Sequence, residues 1–158
     1  MDVIIMPSTI SILSRLKTNY PQFLFKLGDN FLWSSSDNTI YYDKTSKNQS
    51  VFLLHELSHA LMGHSSYKRD IQLITMERQA WDYTMELAPK YHVTISDDMV
   101  QSTLDSYRDW LHARSTCPSC KATGVQTNKF AYVCSACSHK WRVNEARTCD
   151  LRRYGVKT

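Results

Sequence analysis

The order of apolar and polar positions divides the chain into segments of different period. Ile10, Ile12, Leu13 and Leu16 recur at helical spacing after Pro7 and before Pro21, which predicts a first helix. The period then shortens. In "FLFKLGDNFLWSSSDNTIYYD", short aromatic and β-branched runs are split by "GDN" and "SSSDN", which predicts a β-meander with strands near 23–27, 31–34 and 39–42. "KNQS" leads into the apolar run "VFLLHELSHALMG", a helix that Gly63 can cap at its C-terminal end. A further helix is predicted from about Asp70 to Ala88, stopped by Pro89. Another starts at an N-cap, Ser96, with the first-turn acids Asp97 and Asp98. Its expected apolar face is Val100, Leu104, Tyr107 and Leu111, and it ends near Arg114.

Helices interleaved with short strands predict an α+β fold. The expected organisation is a small zincin-like domain over 1–114, with a short antiparallel sheet and about four helices, then a zinc-ribbon β module over 115–158. A chain of 158 residues with 42% apolar content can build a core. No apolar run approaches the ~18–20 residues of a membrane span, and "MDVIIMPS" lacks the basic flank of a signal peptide. A soluble, cytoplasmic protein with no membrane partner is expected.

Charge changes the picture only at the C-terminal end. Residues 1–114 hold 11 Lys+Arg against 13 Asp+Glu, whereas 115–158 hold 8 against 2. Such asymmetry suggests an anionic partner for that segment; a solvated basic tail is the plainer alternative. The five cysteines, Cys117, Cys120, Cys134, Cys137 and Cys149, lie there as well.

The chemistry begins in "FLLHELSHALMGH". His55 and His59, four apart on a helix, project from one face a turn apart and can bind one zinc ion. Glu56 lies about 100° around from His55. Two ligands and a carboxylate base in this order form the H-E-x-x-H arrangement of zinc hydrolases. Catalytic zinc usually takes three protein ligands. His64 is five residues past His59 and does not fit the metzincin spacing, so a supporting role is expected for it. Glu77 shares a helical face with Ile74, Ala80, Trp81 and Thr84, and a carboxylate on that apolar face needs a partner. Glu77 is therefore the expected third ligand; a buried salt bridge to Arg15 or Arg78 is the competing reading. Glu86 falls on the opposite face, as a solvated charge.

"HELSHALMGH" followed by "MERQAWDYTMELAP" resembles the ImmA/IrrE group of gluzincin-like metallopeptidases over roughly residues 30–92. In that group the H-E-x-x-H helix is followed by a helix with an E-x-x-A-type motif, whose glutamate is the third zinc ligand. Glu77 with Ala80 matches it. The resemblance implies a small zincin fold and an intracellular peptidase acting on a DNA-binding repressor. The chain departs from the pattern after the alanine, where "FA" is replaced by Tyr83 and Thr84. Zincins hold substrate along an edge strand, and 39–42 is the strand expected to serve, or else to be an ordinary core strand. Tyr83 and His92 are candidate transition-state stabilisers.

"CPSCKATGVQTNKFAYVCSACSHKW" carries two C-x2-C pairs at the spacing of a closed four-thiolate zinc site. A hairpin between the pairs and a third strand at "HKWRV" are predicted, and the segment resembles a zinc ribbon. Two zinc ions per chain are thus expected, one catalytic and one structural, with Cys149 a free thiol. Lys121, Lys129, Lys140, Arg142, Arg147, Arg152 and Arg153, interleaved with Tyr132 and Trp141, suggest nucleic-acid binding; protein docking or plain structural support are the alternatives, with Trp141 packed in the ribbon's small core as its other reading. The expected activity is hydrolysis of a protein or peptide substrate, a regulatory or DNA-associated protein. Two other readings stand beside it: an SprT-like protease acting on DNA-bound proteins, whose third ligand is a downstream histidine, and a non-enzymatic regulator or assembly protein with a zincin scaffold.

Overall fold

The computed structural model describes residues 11–145 and 151–156. Pro7, Ile10, Arg147 and Cys149 lie outside them. The fold is α+β, with helices α1 (Ile12–Asn19), α2 (Gln49–Leu61), α3 (Asp70–Leu87) and α4 (Asp97–Ser115). A three-stranded sheet holds β1 (Leu24–Leu27), β2 (Leu32–Ser34) and β3 (Thr39–Tyr42); a four-stranded sheet holds β4 (Gly124–Asn128), β5 (Ala131–Cys134), β6 (Lys140–Val143) and β7 (Arg153–Gly155). The chain forms two compact units. One comprises residues up to Ser65 with Ala80–Ile95, the other Ser66–Gln79 with the residues from Ser96 onward, so the division crosses α3.

The first unit differs from a meander. Its strand order is β1-β3-β2, with β1 parallel to β3 and only β2 antiparallel to it. The strand at 39–42 is therefore the central strand, not an edge, and Thr39, Ile40 and Tyr42 are buried. The edges are β1 and β2. Helix α2 packs on β2 and β3. It buries Leu53, Leu54, Leu57 and Ala60 in a core with Leu16, Ile40, Leu87 and Tyr91. Each such large aliphatic side chain contributes about 1.5–3 kcal/mol.

Gly63 ends α2 as expected, at φ 68°. Its amide bonds to Ala60 O at 3.1 Å and the His64 amide to His59 O at 3.0 Å. These are the paired bonds of a Schellman cap, and they fold residue 64 back over the last turn. At α4, Ser96 Oγ accepts from the Met99 amide at 3.2 Å, the N-cap bond expected. The buried face of α4 is rotated from the expected one: Val100, Leu104, Trp110 and Arg114 are buried, while Tyr107 and Leu111 are only partly so.

The second unit owes this rotation to a buried ion pair absent from the sequence reading. Asp70, at the first position of α3, is 0% exposed and Arg114 is 1% exposed. Arg114 Nε donates to Asp70 Oδ2 at 2.8 Å and Nη2 to Oδ1 at 3.3 Å. Gln126 and the Tyr132 hydroxyl also donate to Asp70, and the remaining Arg114 protons reach the carbonyls of Lys129, Asn144 and Glu145. The pair is thus embedded in hydrogen bonds, the condition under which a buried ion pair is tolerated.

Candidate metal centres

Helix α2 is apolar on nearly every face, so its polar groups need partners inside the protein. His55 and His59 are buried on the face toward α3. Their Nε2 atoms stand 3.1 Å apart. The two rings cross edge-on, with centroids 4.7 Å apart. Two imidazole nitrogens on a tetrahedral ion at 2.0–2.1 Å lie about 3.3 Å apart, so the pair is close to metal-binding geometry. Trp81 stacks on His55 with centroids 4.2 Å apart and fixes that ring from the α3 side.

His64 completes the support. Its Nδ1 is 2.8 Å from His59 Nδ1, which leaves His59 Nε2 directed at His55. A hydrogen bond on the far nitrogen is what orients a metal-binding imidazole. The Schellman cap explains why a residue five positions on can do this. Trp33 Nε1 donates to His64 O at 2.8 Å and pins the same loop to β2.

One turn before Trp81 on α3 stands Glu77, 6% exposed. One ligand atom each from His55, His59 and Glu77 lies within 4.8 Å of the others. Of the two cations named as competing partners, Arg15 donates to Lys90 O at 2.9 Å and Arg78 is exposed. Glu86 is exposed, as expected. His92 is exposed and ends a 3-10 turn at φ 56°, and Tyr83 packs against the apolar core. Two nitrogens and a carboxylate oxygen, all buried, form a donor set suited to a divalent transition ion with open coordination positions.

Glu56 sits between the two histidines in sequence but faces β2, where its Oε2 accepts from the Trp33 amide at 2.7 Å. The departure from the family pattern has a local partner too. Thr84 is buried, its hydroxyl is 2.9 Å from that of Ser58, and it donates to Ala80 O at 2.6 Å. The threonine is thus satisfied by a serine inside H-E-L-S-H, and it holds α2 and the C-terminal half of α3 together.

The four cysteines form a second centre. Cys117 and Cys137 sulfurs are 3.7 Å apart and Cys120 and Cys134 sulfurs 3.4 Å, with all four inside 4.8 Å. These distances far exceed a disulfide bond and match the ~3.8 Å between thiolates on one tetrahedral zinc. The two halves repeat one backbone pattern. The Cys117 amide bonds to Ala122 O at 2.8 Å and the Cys134 amide to His139 O at 2.8 Å, and the fourth residue after each, Lys121 or Ser138, has φ above 60°. Amides of Cys137 and Ala136 donate to Cys134 Sγ and, against the opposing effect of burial, hold that thiol down at about 6. At Cys120 the Ala122 amide also favours the thiolate, but the neighbouring Cys134 and Cys137 outweigh it and push the thiol up to about 11. Four sulfurs this close cannot all ionise without a cation among them.

Sequence reasoning named both groups of candidate ligands that the structure brings together and missed β7, which pairs with β6. Tyr132 and Trp141 are not exposed stacking groups, and Trp141 takes the core position that was its other reading. Tyr132 is 2% exposed, and Trp141 is fully buried with its Nε1 donating to Arg114 O at 3.1 Å. They stack on each other with centroids 5.5 Å apart, as core and not as a surface platform. Gly124 admits Trp141: a Cβ there would clash with the indole.

No protein-family model matches the sequence, and neither the curated proteins nor the solved structures contain a match. Among the described residues, no helix is long and apolar enough to cross a membrane.

Proposed function

We propose that the chain is a cytoplasmic zinc metallopeptidase of the ImmA/IrrE type, hydrolysing peptide bonds in a regulatory or DNA-associated protein. The observation that carries this reading is the convergence of His55, His59 and Glu77 with Glu56 on the adjoining position of the same helix. An ion that served structure alone would need no such carboxylate beside it. Zinc held by these three ligands would supply a Lewis acid able to lower the pKa of water and polarise a carbonyl.

The remaining tasks fall to side chains. Glu56 is the proton acceptor, and its bond to the Trp33 amide holds its carboxylate against the middle of β2. His64 keeps the His59 ring in the orientation that presents Nε2. Trp81 excludes water from the back of His55. In the three-stranded sheet β2 is an edge strand and β3 is not, so an extended substrate segment is expected along β2, where Glu56 already occupies the Trp33 amide. The SprT-like alternative needs a histidine as third ligand, whereas the side chain grouped with His55 and His59 is the carboxylate of Glu77.

Glu56→Gln is the direct test. Glutamine keeps an acceptor for the Trp33 amide but cannot take a proton, so the fold and zinc content should be unchanged. Cleavage of a quenched-fluorescent peptide library by the zinc-loaded chain should fall by about 10²–10⁴-fold. Cleavage that persists at the wild-type rate removes Glu56 from the chemistry. A wild-type chain that is fully loaded and inert on peptide and protein substrates alike favours the non-enzymatic regulator.

A further inference from the structure

We infer that the outer face of the β4–β7 sheet binds single-stranded nucleic acid, using Tyr154 as a stacking residue between Lys140, Arg142 and Arg152. The inference is independent of the peptidase reading, because it uses none of the residues of the His55/His59/Glu77 centre.

The strand register assigns the faces. Arg142 is paired with both Ala131 and Tyr154, and Lys140 with Val133, which is paired in turn with Val125. Paired residues project to the same side of a sheet, and residues two apart share it. Tyr132, Trp141 and Val143 alternate with these and are buried, so the set containing Tyr154 faces outward. Tyr154 is 50% exposed and Val125 59%. Arg152, two residues before Tyr154, falls on this face as well and is exposed. Val156 borders a recess of about 420 Å³ with Lys140 and Arg142 in its lining.

The cations of the ribbon are not equivalent. Arg153 projects to the other face and donates to Thr116 O at 3.1 Å. Lys121 Nζ donates to Pro118 O, and Lys129 Nζ lies over the Tyr67 ring at 4.6 Å. Among the described residues, no side-chain hydrogen bond or ion pair occupies Lys140, Arg142 or Arg152. None of the four strands contains an aspartate or glutamate. Among the described residues, the face therefore combines cations without an ion-pair partner with an exposed aromatic ring paired across the strands with Arg142.

That combination selects the ligand. Phosphates are attracted by the cations, and every base offers a ring face to Tyr154. A duplex keeps its bases stacked inside and would leave Tyr154 and the valines unused. An acidic protein would satisfy the charges but gives no use to the tyrosine ring as a stacking platform.

The test uses the full, zinc-loaded chain and fluorescence anisotropy with a labelled 12-nucleotide oligo(dT), beside a duplex of equal length. The single strand should bind tighter than the duplex. Tyr154→Ala should weaken its binding about 5- to 100-fold, and Tyr154→Phe should restore it, since the ring and not the hydroxyl stacks. Lys140→Gln with Arg142→Gln should weaken binding at least tenfold and reduce the slope of log K against log salt by about 1.4, at ~0.7 per phosphate on a single strand. Lys121→Gln should change little. All these side chains lie on the surface, so the variants should keep their zinc and fold. Absence of binding by the wild type, equal binding of the duplex, or a Tyr154→Ala variant that binds as well as wild type would each overturn the inference.

Discussion

Cys134→Ser should leave the β4–β7 ribbon without a stable fold. The buried cluster of this module is Cys117, Tyr132, Cys134, Trp141 and Val143, with Ala122 and Leu151 packed against it. Two of those five buried residues are themselves ligand candidates. Such a core is too small to offset the chain entropy of the ribbon. Zinc bound by four cysteines contributes about 10–16 kcal/mol in small zinc modules, far more than the packing here can. Cys134 is also the thiol that takes two backbone amides, so serine loses the ligand and the geometry together. Amide exchange over residues 124–143 should rise to that of an open chain, and the near-ultraviolet signal of the Tyr132–Trp141 stack should collapse. Native protection in the variant would mean that the ribbon stands without its metal.

The second large effect is expected at Arg114. Arg114→Met keeps the bulk of the side chain but strands the Asp70 carboxylate in a site with 0% exposure. Breaking a buried pair from one side costs about 3–5 kcal/mol, because the remaining charge has lost both its counter-ion and its access to water. Tyr132 and Gln126 still donate to Asp70, which places the effect toward the lower end of that range. For a chain of this length the loss corresponds to a fall in Tm of about 6–20 °C. Denaturant unfolding of the zinc-loaded variant reads it directly. A loss below about 1 kcal/mol would show that the pair is solvated in solution and does not organise this unit.

These two predictions differ in how far the sequence foretold them. The cysteine site was legible because its information is local: two C-x2-C pairs, each closed by its own short turn, at a separation that only a hairpin needs to span. The H-E-x-x-H helix was legible for the same reason, since four residues of helix bring His55 and His59 together whatever surrounds them. Glu77 followed from helical phase against Ala80 and Trp81. The Gly63 cap also followed from sequence, but its consequence for His64 depends on the backbone path after it. Asp70 and Arg114, by contrast, are separated by 44 positions, and nothing near either one signals the other. Arg114 sits at the helix end where a cation is ordinary, and Asp70 at a helix start where an acid is ordinary. Each therefore reads as a local helix-end charge.

The sheet of the first unit shows the same limit. Aromatic runs with turn signals fixed three strands near their observed positions. The pairing of β1 with β3 in parallel depends on contacts that no turn sequence encodes, and the meander was the simpler expectation. That difference bears on function, because it turns 39–42 into a central strand and leaves β2, held by Glu56, as the edge beside the metal centre. Strand β7 was missed because three residues, Arg153–Gly155, carry no period to detect. The exposed tyrosine beside Arg142 lies on that strand.

His55, His59 and Glu77 should bind one metal ion and the four cysteines another. Zinc per chain, measured on purified protein by elemental analysis for wild type and Glu77→Ala, reads this out. Two ions in the wild type, falling to about one in a variant that keeps its fold, is the predicted result. One ion in both proteins, or two in both, would contradict this: the first because the histidine centre takes no zinc, the second because Glu77 is not among its ligands.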